Sequence, residues 1–164
     1  WHGLNYYFPA KIGDDPTGTG MRTTWNHIDG PKTDMGWGMN AGVMRDFLIK
    51  LKDHWKAPKI YITENGTAAA DKPAPDGRIY DLDRIMYLRQ YLAQLRRAIA
   101  DGAPVRGYYA WSLMDNFEWA FGYRKRFGIV HVDYATLERT IKHSGHWFAG
   151  VARTNLVPAL VEAP

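Results

Sequence analysis

Three short runs rich in β-branched and aromatic residues set the frame of this chain: Leu4 to Phe8, Lys59 to Thr63 and Val105 to Trp111. Each carries apolar side chains on both faces, which suits a strand buried in a parallel sheet better than one half-exposed in an antiparallel sheet. A helical pattern follows each run. Val43, Met44, Phe47, Leu48, Leu51 and Trp55 recur at helical spacing, and Pro58 stops that helix. Leu82, Ile85, Leu88, Leu92, Leu95 and Ile99 are three and four apart, with Asp81 placed to cap the start and Gly102 and Pro104 placed beyond the end. Ser144 is placed to cap a last helix bearing Trp147, Phe148 and Val151, which Asn155 and Pro158 end. The order β-α-β-α-β-α predicts an α/β fold built from βαβ units.

The connections are unequal. Long segments follow the strands (Pro9 to about Trp37, Glu64 to Tyr80, Ser112 to about His143), whereas each helix returns to the next strand in a few residues. In a (β/α)8 TIM barrel the active site is built from the loops after the strands, and that fold needs eight units and typically ~250 residues. The chain has 164 residues and three units. An open three-stranded sheet leaves two unpaired edges, so the pattern predicts part of a barrel. The chain also opens at Trp1, within three residues of an apolar strand pattern. The expectation is a single segment, residues 1–164, of one longer domain.

Composition narrows the function classes. With no Cys, a disulfide scaffold, a thiolate metal site and a cysteine nucleophile are excluded. No apolar stretch approaches the ~18 residues of a membrane span. Aromatic residues make up 14%, too many for a chain without a core. The net charge of +4 comes from 21 basic and 17 acidic residues interleaved along the chain, which argues against nucleic acid as partner. Arg124-Lys125-Arg126 reads as a solvated loop or a pocket rim. His143 and His146 are three apart without a third ligand, so no metal is expected. Gly13, Gly18 and Gly20 read as loop flexibility.

Three places carry chemistry. A carboxylate ends the second strand in Ile62-Thr63-Glu64-Asn65-Gly66, where burial is costly unless the group is paired or used. Gly66 is expected to let the chain turn sharply. Glu64 reads equally as a strand-capping carboxylate bonded to loop amides. The third strand runs into Trp111-Ser112-Leu113-Met114-Asp115-Asn116-Phe117-Glu118-Trp119. Indoles can stack on the C–H faces of a sugar while carboxylate and amide groups bind its hydroxyls, although either Trp taken singly reads as a core aromatic. Asn5 and Tyr7 lie two apart on one strand face, and a tyrosine hydroxyl there can hold a carboxylate. Taken alone, Tyr7 reads as core packing.

Together these residues resemble the family 1 glycoside hydrolases, the β-glucosidases and their relatives. The resemblance runs from Gly3-Leu4-Asn5-Tyr6-Tyr7 to Ser144-Gly145-His146-Trp147-Phe148. It rests most on Tyr61-Ile62-Thr63-Glu64-Asn65-Gly66, then on the Trp111 to Trp119 motif, then on Lys125-Arg126-Phe127-Gly128-Ile129-Val130-His131-Val132-Asp133. It implies a retaining β-glucosidase acting on terminal non-reducing β-D-glucosyl residues. Glu64 matches the nucleophile that forms a covalent glycosyl-enzyme, and Tyr7 the tyrosine that orients it. Asn5 matches a residue on the acid/base side of the pocket. Trp111 matches the platform under the sugar, Glu118 the carboxylate that grips O4 and O6, Trp119 the indole that reaches O3 or O4, and Phe127 an aromatic of the pocket wall. No cofactor is implied.

The family's acid/base lies in an Asn-Glu-Pro motif on the fourth barrel strand, and no such tripeptide occurs here. The glutamine and histidine sugar ligands of earlier strands have no counterpart either. The resemblance therefore covers about strands six to eight. The run Gly36-Trp37-Gly38-Met39-Asn40-Ala41 departs somewhat from the family pattern. Expected partners are a β-glucoside or small oligosaccharide, and either a complementary N-terminal barrel segment or further copies of the chain. The alternative reading is a catalytically incomplete sugar-binding or self-assembling half-barrel. A bacterial cytoplasmic location is expected.

Overall fold

A computed structural model describes residues 1–17 and 23–158 of the chain. Three parallel strands form its centre: β1 (His2–Asn5), β4 (Ile60–Asn65) and β5 (Val105–Ala110), in the order β1-β4-β5. Two helices return the chain between them, α1 (Ala41–Asp53) and α2 (Leu82–Ala100), and α3 (His143–Thr154) follows. The helices cover one face of the sheet. Ile60 and Ile62 of β4 meet Met44 and Leu48 of α1 and Tyr87, Leu88 and Tyr91 of α2, all of them fully buried. Each such side chain contributes roughly 1.5–3 kcal/mol.

The opposite face is open. Trp1, Tyr61, Thr63, Tyr109 and Trp111 line a broad groove there, with Trp1 77% and Tyr109 59% exposed. The three strands close no barrel, so apolar residues lie on both faces as expected but only one face is covered.

Two hairpins were not expected. Strands β2 (Ala10–Asp14) and β3 (Thr23–His27) pair antiparallel in the segment after β1, and β6 (Val130–Val132) and β7 (Arg139–Ile141) do so in the segment after β5. The first strand also lies two residues earlier than its aromatic run suggests. Its pairing ends where Asn5 meets Glu64, and Tyr6 to Phe8 leave the sheet. Gly18 and Gly20 fall outside the described residues.

The helix ends differ from expectation in an informative way. Asn40 caps α1 by accepting from the Gly42 N–H at 3.1 Å, which completes an unsatisfied first-turn donor. Asp81 precedes α2 but gives it no side-chain cap. Its carboxylate accepts instead from the backbone N–H (2.8 Å) and the hydroxyl of Ser144. Ser144 therefore lies inside the first turn of α3, with Lys142 at the capping position, and Asp81 serves α3 from across the fold. At the other ends, Asn155 is left-handed (φ 54°) and Gly102 has φ 88°, as helix terminators do.

Candidate active site

Glu64 owes its position to one extra residue in β4. Against β1, the partners on β4 step from Ile62 to Glu64 while β1 advances only from Leu4 to Asn5. Against β5, they step from Ile62 to Asn65 while β5 advances from Tyr108 to Ala110. Strict alternation would send Glu64 to the helix face behind Ile60 and Ile62. The bulge reverses the sense, as bulges beside functional sites do. Asn65 takes the helix-facing place, and Glu64 turns to the side where Tyr7 lies.

Asn65 is fully buried and anchors that arrangement. Its amide donates to the Tyr6 carbonyl at 2.6 Å and to the Tyr87 hydroxyl at 3.0 Å, and its oxygen accepts from the Tyr108 hydroxyl at 2.8 Å. Tyr87 in turn donates to the Tyr7 carbonyl at 2.8 Å. The backbone around Tyr7 and the strand end bearing Glu64 are thereby fixed to α2. Such a satisfied buried network specifies one geometry.

Across that geometry the Tyr7 hydroxyl donates to Glu64 Oε2 at 2.6 Å. Burial and this bond push the Tyr7 hydroxyl well above the usual tyrosine range, so it stays protonated and remains a donor. The bond holds the Glu64 carboxylate in one orientation. The Tyr7 ring lies 5.5 Å from Trp37 and 6.1 Å from Phe127, and Trp37 lies 4.7 Å from Phe8. Phe127 is 2% exposed, so it backs Tyr7. Trp37 carried no role in the sequence reading; its place in a Gly-rich run was the only signal.

The remaining expected residues are distributed as follows. Glu118 is half-buried beyond β5, and its carboxyl is pushed up by burial and by the negative charge of Glu64, so the two carboxylates share one electrostatic neighbourhood. Asn5 accepts from the Thr63 hydroxyl at 2.6 Å and belongs to the open face, not to the Tyr7–Glu64 pair. Trp111 lines the groove on that face, and its backbone N–H donates to the Asn65 carbonyl at 2.9 Å. Trp119 begins a short 3-10 turn (Trp119–Phe121) with φ 41° and is 83% exposed. A bulky residue at positive φ is strained.

Gly66 is not the sharp turn expected of it. A Cβ there would sit 1.8 Å from the carbonyl oxygen of Trp111, so glycine is needed because two strand ends approach closely. Gly66 has no left-handed φ.

A buried charge cluster escaped the sequence reading altogether. Arg84 meets Asp71 at 2.7 Å and Asp81, and its guanidinium also donates to the Arg126 carbonyl at 2.7 Å. Lys142 meets Asp71 at 2.5 Å and Asp115 at 2.7 Å, and Arg126 meets Asp115 at 2.6 Å. Three cations thus balance three carboxylates and tie together the loop after β4, the start of α2, the loop after β5 and the start of α3. Burial alone would raise the Asp115 carboxyl; Lys142 and Arg126 outweigh it and hold it below the usual range. Among the described residues, no three His, Asp or Glu side chains gather as a metal site would require, and no helix is long and apolar enough to cross a membrane.

Residues 1–157 match the family model for glycosyl hydrolase family 1. The chain is 45% identical over 153 residues to β-glucosidase A of Thermotoga maritima, covering 93% of the chain and 34% of that protein. It is 44% identical over 162 residues to a bifunctional β-D-glucosidase/β-D-fucosidase of Bifidobacterium breve, covering 89% of the chain and 35% of that protein. The solved structure of a Thermotoga maritima β-glucosidase in complex with deoxynojirimycin superposes with a TM-score of 0.91 at 44% identity, covering 95% of the chain and 35% of that structure. The chain spans about a third of the length of these relatives.

Proposed function

Because the chain belongs to glycosyl hydrolase family 1 and carries the C-terminal βα units, about strands six to eight, of its (β/α)8 barrel, we propose that it supplies the nucleophile half of a retaining β-glucosidase site. Residues 1–164 form one segment of a single glycosidase domain. The substrate is a terminal non-reducing β-D-glucosyl residue of a β-glucoside or small oligosaccharide.

The observation that carries this reading is the Tyr7 hydroxyl at 2.6 Å from Glu64 Oε2. A retaining glycosidase needs an ionised carboxylate on one side of the anomeric carbon and a carboxylic acid about 5–5.5 Å away on the other. Glu64 attacks the anomeric carbon. The glycosidic C–O bond breaks, and the departing oxygen takes a proton from the acid. Water then displaces Glu64 from the glycosyl-enzyme and gives its proton to the same group, now acting as base. Tyr7 holds the nucleophile in its reactive rotamer. Trp111 lies under the sugar, Glu118 and Trp119 bind its hydroxyls, Asn5 borders the acid side, and Phe127 walls the pocket behind Tyr7. The acid itself belongs to an N-terminal segment beyond this chain.

The partner is therefore the remainder of the barrel. The uncovered face bearing Trp1 and Tyr109 also favours a second reading, in which copies of the chain associate through that face. Native mass spectrometry separates the two: a complex with the N-terminal segment supports the enzyme, and multiples of the chain alone support self-assembly.

The function is tested by Glu64→Ala in the barrel-completed protein. Turnover of an aryl β-glucoside is expected to vanish and to return on adding azide, with the product formed in the inverted configuration. Undiminished turnover would end this assignment.

A further inference from the structure

Residues 116–125 project from the sheet as a loop whose two ends are fastened at one point. The strands leading in and out are zipped by backbone bonds: Ser112 N–H to the Phe127 carbonyl (3.1 Å), Asp115 N–H to Val130 (3.0 Å), Ile129 N–H to Ser112 (2.9 Å) and Val130 N–H to Leu113 (2.9 Å). At the neck, Asp115 Oδ2 accepts from Arg126 at 2.6 Å and Asp115 Oδ1 accepts from the Gly128 N–H at 3.0 Å. The same guanidinium nitrogen donates to the Val132 carbonyl at 2.9 Å. Beneath the neck, Lys142 is fully buried and donates to Asp115 Oδ1 at 2.7 Å. A Cβ on Gly128 would come within 2.2 Å of the Asp115 nitrogen, so the neck accepts no thicker backbone.

Beyond the neck, the loop is held by contacts that are mostly local: the Glu118 N–H to Gly122 (2.7 Å), the Phe121 N–H to Glu118 (2.8 Å) and the Gly122 N–H to Trp119 (3.0 Å). The Phe117 ring lies 5.3 Å from Tyr123, and Tyr123 lies 4.4 Å from Tyr134 just past the neck. Phe117 is 60% and Trp119 83% exposed. Among the described residues, the loop's other ion pair joins Lys125 to Asp34 at 2.9 Å, and both side chains are partly in solvent. Pairs open to solvent in that way contribute little, whereas a buried pair is costly to break. Glu118 lies three residues from Asp115, and Phe127 is next to Arg126.

We propose that Asp115 and Arg126, seated on Lys142, are positioning residues: their pair is a clasp that sets the loop from its neck and so presents Glu118 to the sugar in a fixed arrangement, with Phe127 seated behind Tyr7. The clasp touches neither substrate nor reacting atoms. It acts on ground-state binding through Glu118, and for that consequence it rests on the sugar-binding reading above.

The first test reads the loop directly, by hydrogen exchange on the chain. Arg126→Gln is expected to raise exchange across residues 112–130 about tenfold or more while α1 keeps its protection. Wild-type protection in the loop would overturn the clasp. Should Arg126→Gln lose protection everywhere, the comparison passes to Arg126→Lys. Its shorter ammonium cannot serve both Asp115 and the Val132 carbonyl, so a smaller local rise is expected, and wild-type loop protection would again overturn the clasp.

The second test reads the sugar, in the barrel-completed enzyme. Arg126→Gln is expected to weaken binding of a glucose-configured iminosugar about tenfold, with kcat at saturation changed less than about threefold, and Arg126→Lys to restore most of the affinity. In a Glu118→Gln background, Arg126→Gln should weaken binding by no more than about twofold further. A full further loss there would show that Arg126 does not act through Glu118 and would overturn the positioning role. If Glu118→Gln binds the iminosugar like wild type, it is the sugar-ligand reading that falls, and the exchange result still decides the clasp.

Discussion

The Tyr7 hydroxyl meets Glu64 Oε2 at 2.6 Å although 57 residues separate them. Two neighbouring parallel strands make this contact possible: β1 ends its pairing at Asn5 opposite Glu64, and Tyr7 follows two residues on. The bulge in β4 supplies the rest. Without its extra residue, the carboxylate would face α2, where Ile60 and Ile62 already pack.

Replacing Tyr7 by Phe removes this donor and keeps the ring against Trp37 and Phe127. A hydrogen bond to a charged group contributes about 1.5–3 kcal/mol, so kcat/KM of the barrel-completed enzyme should fall about tenfold to a hundredfold. Steady-state kinetics on an aryl β-glucoside checks this. An unchanged kcat/KM would overturn the role proposed for Tyr7 beside Glu64.

Gly66→Ala should be among the most damaging small substitutions in the chain. Its Cβ would lie 1.8 Å from the Trp111 carbonyl oxygen, a backbone atom that cannot yield easily. A loss of ~3 kcal/mol or more is expected. Gly77→Ala offers a control: its surroundings are empty but its φ is 77°, so about 1–2 kcal/mol is expected. Urea midpoints of the two variants rank them directly.

The charge cluster under the loops gives a stability prediction with a sign. Lys142→Met leaves Asp71 and Asp115 buried with fewer partners, and about 3–5 kcal/mol should be lost at neutral pH. Asp115 titrates in the folded chain below its ordinary 3.8. Its contribution is therefore full above about pH 3.8, where it is charged in both states, and is lost as the pH falls through the lower folded value. Asp115→Asn should flatten that acid limb of the stability profile, and an unchanged limb would remove Asp115 from the account.

Glu118 has the opposite sign. Burial and Glu64 raise its carboxyl above the ordinary 4.5, so the folded state binds its proton more tightly and stability declines as pH rises through that region. Glu118→Gln should therefore stabilise the chain at pH 7, by less than about 1 kcal/mol because solvent screens a half-exposed group. Thermal melts at pH 4 and pH 7 check this: the gain should appear only at pH 7.

The parts of the fold that were legible in the sequence are those whose signal is local and repeated. The spacing of Leu88, Leu92 and Leu95 follows from burial against a neighbouring layer, as do Ile60 and Ile62 of β4, whereas Leu82 and Ile99 at the ends of the same run are exposed. The first strand was misplaced because Tyr6 to Phe8 look like strand residues, whereas the rings of Tyr7 and Phe8 belong to the cluster around Trp37 and that of Tyr6 packs against Tyr91. The hairpins β2–β3 and β6–β7 are short and lack a two-residue Asn-Gly or Asp-Gly turn. Asp81 illustrates a general limit: its position before α2 suggests a cap, and only the tertiary fold brings Ser144 to compete for it. The site divides in the same way. Glu64 at a strand end is a local feature. The cluster of Asp71, Asp81, Arg84, Asp115, Arg126 and Lys142 draws on segments far apart in the chain, and no spacing announces it.

The measurement that tests the central claim most directly is covalent trapping. The chain would be joined with the N-terminal two-thirds of a family relative, treated with a 2-deoxy-2-fluoro-β-glucosyl fluoride and digested, and the peptides weighed and sequenced by mass spectrometry. The account predicts one fluoroglucosyl group on the peptide containing Glu64, with activity lost in proportion to labelling. A label on any other residue, or turnover that persists with Glu64 unmodified, would contradict it.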